Sequence, residues 1–287
     1  MPDLSVLDST MHFTEAGSAS RENTPVVFLH GNPASSHSWR NVLPAVGAGH
    51  LLAPDLIGMG RSGKPDLEFT FADHARYLDA WFDTVISDRP AVLVGHDWGG
   101  ALAIDRAARH PDRVLGLAAF EAVLRPVRPE QLSGPARARR ELILSEEGER
   151  MFLDTEDGIR QAFTFGVLTP VSSEDLKGYL LPYSSSASRR PLLAWARQLA
   201  APPSEMTDRL EYAGRWLSAS KTVPKLLLTF DGSPTLLIDE HAVAWARAQF
   251  SSVEIEHLGS AGHHAAEDRP LEIGRAVSRW LDRHGLR

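Results

Sequence analysis

The chain contains no cysteine, which removes a disulfide framework, a thiolate nucleophile and any cysteine-based metal centre from consideration. It has no uninterrupted apolar run near the roughly 20 residues that a membrane-spanning helix needs. Its first residues, Met1-Pro2-Asp3-Leu4-Ser5-Val6, lack a basic region followed by an apolar one, so a cytoplasmic protein without a secretory signal is expected. Positive charge is not in excess: the net charge is −7, which argues against a nucleic-acid or anionic-membrane partner. Internal repeats and low-complexity tracts are missing too. What is present is 43% hydrophobic and 23% charged residues over 287 positions, enough for one large globular α/β core carrying an insertion.

The most informative stretch is Val92-Leu93-Val94-Gly95-His96-Asp97-Trp98-Gly99-Gly100-Ala101. It reads as a short buried strand that breaks at a glycine, presents Asp97 and continues at once into a helix. Small residues at the second position on either side of a central one match the nucleophile elbow of the α/β-hydrolase fold. There the neighbouring backbones approach too closely for a Cβ. Serine is the familiar central residue, and here it is aspartate. A carboxylate is a poor acyl-transfer nucleophile, but it can displace a leaving group at saturated carbon and leave an alkyl ester on the enzyme. Taken alone, Asp97 also reads as a helix N-cap, so the rest of the chain has to decide.

Residues 4–8 and 11–16 read as two short strands around an Asp8-Ser9-Thr10 turn. Pro25-Val26-Val27-Phe28-Leu29 and Leu51-Leu52-Ala53-Pro54-Asp55 are apolar runs of the kind buried in parallel sheets. The glycine-rich loop 56–63 lacks the Gly-Lys-Ser/Thr run of a phosphate cradle and fits no dinucleotide fingerprint. From Thr70, a candidate N-cap with Asp73 in the first turn, the period becomes helical, with Phe71, Ala75, Leu78, Phe82 and Val85 on one face, and Val114–Phe120 is another buried strand ending at Glu121. Between Arg125 and Ser220, prolines at 126, 129, 135, 170, 182, 191, 202 and 203 punctuate helical stretches. This predicts a helical cap, residues 125–220, inserted into a core made of residues 1–124 and 221–287. The core resumes with a strand over 224–230, a helix over 238–250, a strand over 253–258 and a helix over 271–281.

Hydrolysis of an ester on Asp97 requires a base, and histidine suits that task near neutral pH. His263 and His264 both follow the last strand, and spacing alone does not separate them. Two carboxylates could orient the base, since Glu121 and Asp231 each end a strand between nucleophile and histidine. Glu121 is favoured, because a glutamate closing an apolar run is costly to bury without a partner. The loop His30-Gly31-Asn32-Pro33 follows the first core strand. By the elbow's logic, the backbone N–H groups of Asn32 and Trp98 form an oxyanion hole. Their side-chain N–H groups also suit a weakly hydrated halide.

At this point the motifs resemble the haloalkane dehalogenases along almost the whole chain. The matching pieces are His30-Gly31-Asn32-Pro33, Asp55-Leu56-Ile57-Gly58-Met59-Gly60-Arg61-Ser62-Gly63, Gly95-His96-Asp97-Trp98-Gly99-Gly100, Phe120-Glu121, Arg189-Arg190-Pro191, Pro224-Lys225-Leu226-Leu227 and Glu267-Asp268-Arg269-Pro270. The resemblance implies an α/β-hydrolase fold with a mostly parallel eight-stranded sheet. It implies Asp97 as nucleophile, His263 rather than His264 as base, Glu121 as the orienting acid, and Asn32 with Trp98 as the halide pair. A halogenated alkane and water would be the reactants, with chloride or bromide released, and neither cofactor nor metal is implied; a monomer or small homo-oligomer is expected. Two departures stand out: the Phe230-Asp231-Gly232-Ser233-Pro234 turn keeps Asp231 as a rival acid, and Ala261-Gly262 stands before the base with His264 after it. The rival activities are an epoxide hydrolase, with cap tyrosines Tyr179, Tyr183 and Tyr212 as acids, and a coelenterazine-oxidising luciferase on the same scaffold.

Overall fold

A computed structural model describes residues 3–20, 22–126, 134–200 and 205–287. The N-terminal segment forms three strands rather than the expected two. β1 (Leu4–Val6) and β2 (Ser9–Met11) make a separate antiparallel hairpin turned at Leu7, whose φ is 54°. β3 (Phe13–Gly17) joins the main sheet. The break falls at His12, whose N–H donates to Ser62 Oγ at 3.0 Å instead of continuing a ladder. Among the described residues the main sheet therefore has seven strands, and the expected count of eight is corrected.

The apolar runs become strands covered on both faces. β4 (Pro25–Leu29), β5 (His50–Pro54), β6 (Ala91–Asp97), β7 (Val114–Ala122) and β8 (Lys225–Asp231) are buried almost throughout, and β9 (Val253–Ser260) is a half-buried edge. The order is β3-β5-β4-β6-β7-β8-β9, with β3 antiparallel to β5 and every other pair parallel. From β4 the chain first adds β5 on one side and then crosses to β6 on the other. The carboxyl ends of β4 and β6 thus flank the crevice where open α/β sheets bind ligands.

Twelve helices are described: α1 (Leu43–Val46), α2 (Phe71–Val85), α3 (Trp98–Arg109), α4 (Gly134–Leu144), α5 (Glu146–Leu153), α6 (Asp157–Phe165), α7 (Ser173–Leu180), α8 (Ser186–Ala200), α9 (Glu205–Ala219), α10 (Glu240–Gln249), α11 (Ala265–Asp268) and α12 (Pro270–Arg283). α2 begins at the capping box that its sequence predicts: Thr70 Oγ1 accepts from Asp73 N–H, and Asp73 accepts from Thr70 N–H. α3 stops at Arg109, before Pro111. α10 starts two residues later than expected, because Asp239 caps it while the Ile238 N–H is spent elsewhere. α4 to α9 lie between β7 and β8, and α8 runs straight through Pro191. Pro129, Pro202 and Pro203 lie outside the described residues. One apolar core lies beneath α2, α3, α9 and α10, and the other beneath α1 and α12.

Candidate active site

The turn from β6 into α3 puts Asp97 at φ 50°, ψ −121°, a conformation that non-glycine residues rarely adopt. Packing enforces it. A Cβ on Gly99 would stand 2.0 Å from the Leu29 carbonyl oxygen, and one on Gly95 would stand 2.5 Å from Gly100 Cα. Only glycines allow the elbow to sit this close to β4. Asp97 is 4% exposed. Its Oδ2 accepts the Asn32 N–H at 2.9 Å, and the Trp98 backbone N–H also acts on it. Burial pushes the carboxyl pKa up, while His263 and those two N–H groups pull against it.

His263 lies between two carboxylates. Its Nε2 is 4.0 Å from Asp97 Oδ1, and its Nδ1 is 3.2 Å from Glu121 Oε2. Burial opposes protonation of the ring, but the Glu121 hydrogen bond and the charges of Asp97 and Glu121 outweigh it and hold the imidazole above its ordinary value. Glu121 reaches this place through a bulge. His96 pairs with Phe120 and Asp97 with Ala122, so Glu121 is the unpaired extra residue of β7, at φ 43°. Fully buried, it accepts the N–H groups of Leu237 at 2.7 Å and Ile238 at 3.2 Å. Those donors follow β8 and supply the partners that the sequence argument required. Asp231 is elsewhere: its carboxylate accepts from Ser260 Oγ and faces His257 Nε2 at 3.3 Å.

Asn32 and Trp98 flank the nucleophile. Asn32 Nδ2 donates one hydrogen to the Leu192 carbonyl at 3.1 Å, which leaves its second N–H available and its buried Oδ1 without a partner. The Trp98 indole stacks on Trp195 at 4.7 Å and lies beside Phe71, and its N–H has no partner among the described residues. Trp195 itself donates to His74 Nε2. Sequence reading missed Trp195, although Arg189-Arg190-Pro191 pointed to its helix. It placed Asp268 in a motif without a role: the carboxylate accepts N–H groups of Gly262, Leu168 and Thr169 at 2.8 to 3.0 Å and bolts the histidine loop to the segment after α6. Arg139 on α4 acts by charge on Asp97, His263 and His264 and has no ion pair among the described residues.

The three tyrosines are occupied or remote. Tyr179 hydrogen-bonds Glu267, Tyr183 accepts from Gly60 N–H and donates to Met59, and Tyr212 is 48% exposed on α9. The metal-ligating groups gathered here are imidazoles: one nitrogen from each of His96, His263 and His264 lies within 4.8 Å of the others.

A carboxylate on such an elbow, at the switch point of a doubly covered parallel sheet, defines an α/β-hydrolase, and the family described as the alpha/beta hydrolase fold matches residues 24–270. The chain is 39% identical over 286 residues, covering 98% of its length and 91% of the relative's, to a haloalkane dehalogenase of Agrobacterium fabrum. It superposes with a TM-score of 0.91 on the crystal structure of a haloalkane dehalogenase from Bradyrhizobium elkani, at 38% identity and covering 99% and 98% of the two chains. The coelenterazine h 2-monooxygenase of Renilla reniformis is 30% identical across 98% of this chain and 90% of its own. The chain belongs to the haloalkane dehalogenase family.

Proposed function

We propose that the protein hydrolyses the carbon–halogen bond of small haloalkanes, giving an alcohol, a halide ion and a proton. One observation carries the reading: a buried carboxylate accepts the Asn32 backbone N–H on one oxygen, feels the Trp98 backbone N–H as well, and turns its other oxygen toward an imidazole. Asp97 Oδ1 attacks the halogen-bearing carbon in line, the new C–O bond takes the electron pair of the carboxylate, and the halogen leaves with the electrons of the C–X bond. The Trp98 indole N–H and the free N–H of Asn32 stabilise the negative charge as it grows. Leu192 sets which end of the Asn32 amide is nitrogen, and Trp195 seats the indole plane.

The alkyl ester on Asp97 is then opened by water. His263 Nε2 takes one proton from the water, Glu121 keeps the ring oriented through Nδ1, and the hydroxide oxygen adds to Asp97 Cγ. The N–H groups of Asn32 and Trp98 hold the oxyanion. Collapse restores the carboxylate and expels the alkoxide, which takes the remaining proton of the water. His263 returns its proton to solvent. Residues 125–220 serve as a cap over a core of 1–124 and 221–287, since Leu192 and Trp195 from the inserted helices close over the halide donors and exclude bulk water.

The test is a His263→Phe variant incubated with 1,2-dibromoethane. We expect about one bromide released per enzyme and a stable alkyl ester on the Asp97 peptide, read by mass spectrometry. Bromide release with an unmodified Asp97 overturns the mechanism. A wild-type panel of chloro-, bromo- and iodoalkanes with an epoxide and coelenterazine h separates the activities, and light or diol without halide release overturns the assignment.

A further inference from the structure

His96, His263 and His264 meet at the carboxyl end of the sheet, yet the reaction above uses only His263. His96 closes β6 just before Asp97, and His264 leads into α11. Ring centres lie 5.0 Å apart for His96 and His263, 5.0 Å for His263 and His264, and 5.7 Å for His96 and His264. Three imidazoles on one tetrahedral zinc, bonded at about 2.0 Å, keep their ring centres about 5 Å apart. The rings are therefore already spaced for a shared ion, and only their orientation has to change to bring the nitrogens together.

We propose that these three histidines form an inhibitory site for a borderline divalent transition-metal cation such as Zn2+, which competes with water for the base. The inhibitory consequence rests on the role assigned to His263 above; the binding does not. Imidazole donors suit zinc, copper and nickel better than magnesium or calcium. The His264 ring makes no hydrogen bond among the described residues; it is held by stacking on Phe163 at 4.5 Å, so turning it breaks no polar contact. His96 Nε2 pairs with the His263 carbonyl at 2.8 Å, which places the proton on Nε2 and leaves the lone pair on Nδ1. The charges facing the cluster are mixed: Arg139 opposes a cation, whereas Asp97 and Glu121 favour one.

An ion on His263 withdraws the lone pair that accepts the water proton, so ester hydrolysis stops and steady-state halide release falls. The experiment is a titration of the intact protein with Co2+ alone, read by visible absorption, beside Zn2+ inhibition of steady-state halide release. We expect a one-to-one tetrahedral Co2+ band that Zn2+ displaces. In His264→Phe, which keeps the stack on Phe163, and in His264→Gln, the band is lost. The half-inhibiting Zn2+ concentration rises at least about tenfold, the loss that a missing outer-shell partner alone can cause. A Co2+ band and Zn2+ sensitivity unchanged in both variants place the ion elsewhere and overturn the proposal, as does an active enzyme with no band. A His264-dependent band in a protein that releases no halide sustains the site and overturns the assigned activity instead.

Discussion

At the scale of single residues, the site is governed by three ionisable groups that share one buried pocket. His263 is held above its ordinary pKa partly by the Asp97 carboxylate, and that carboxylate disappears when the alkyl ester forms. The base must be neutral to accept a proton, so its activity rises with pH through its pKa. Losing a neighbouring negative charge lowers that pKa. We therefore expect the acid limb of ester hydrolysis, followed by rapid quench, to lie at lower pH than the titration of His263 in the free enzyme followed by NMR; coincidence of the two would contradict the Coulombic account. Glu121→Gln removes the charge behind Nδ1 and turns one of its two acceptor oxygens into a donor, and should lower kcat by about 10²- to 10⁴-fold. It should also move the His263 titration downward. Asp231→Asn should leave kcat within about twofold, as surface changes away from such features usually have small effects. A large loss in the second variant with none in the first would reverse the assignment of the acid.

At the scale of elements, the histidine loop and the inserted helices behave as one piece. The Asp268 carboxylate holds N–H groups of residues 168, 169 and 262, and the His264 N–H donates to the Gly166 carbonyl at 2.7 Å. In Asp268→Ala these donors lose their partner, at a cost on the order of 1–3 kcal/mol for each that stays buried. Amide exchange should then accelerate together in 166–169 and 261–264, with a fall in kcat; exchange confined to one of the two segments would show that they are not coupled. A second anchor lies at the other end of the insert. Asp105 on α3, 1% exposed, accepts from Arg109 at 2.8 Å and from two nitrogens of Arg209 on α9 at 2.9 Å. Asp105→Ala takes one carboxylate partner from each of two partly buried cations, leaving Arg109 on Asp79 and Arg209 on Glu205, and denaturant melts should lose about 1–3 kcal/mol. Asp105→Asn should lose less, because it keeps one acceptor.

At the scale of the whole molecule, a proton donor for ring opening is missing from the places where the sequence offered one. Tyr179 and Tyr183 are committed to Glu267, Gly60 and Met59, and Tyr212 is exposed. Epoxide opening expels an alkoxide that needs an acid, whereas halide departure needs only N–H donors. We expect epoxide turnover to be at least about 10²-fold slower than bromoalkane turnover, the typical contribution of a missing general acid. Equal rates would point to an acid from another residue. Among the described residues no helix is long and apolar enough to cross a membrane.

The elbow, the apolar strands and the Thr70 cap were legible in the chain because each rests on local rules: a Cβ too large for a close approach, a continuous run covered on both faces, an N-terminal donor in need of an acceptor. Local rules also raised Glu121 above Asp231. They could not separate the two by position, since both end a strand and both precede the histidine. What brings Glu121 beside His263 is the bulge of β7 and the Leu237 and Ile238 N–H groups, more than a hundred residues away. The number of strands in the main sheet likewise turned on one contact between His12 and Ser62. Trp195, Asp268 and the meeting of His96 with His264 carry no periodicity of their own, because contacts between distant segments belong to packing and leave no spacing in the sequence.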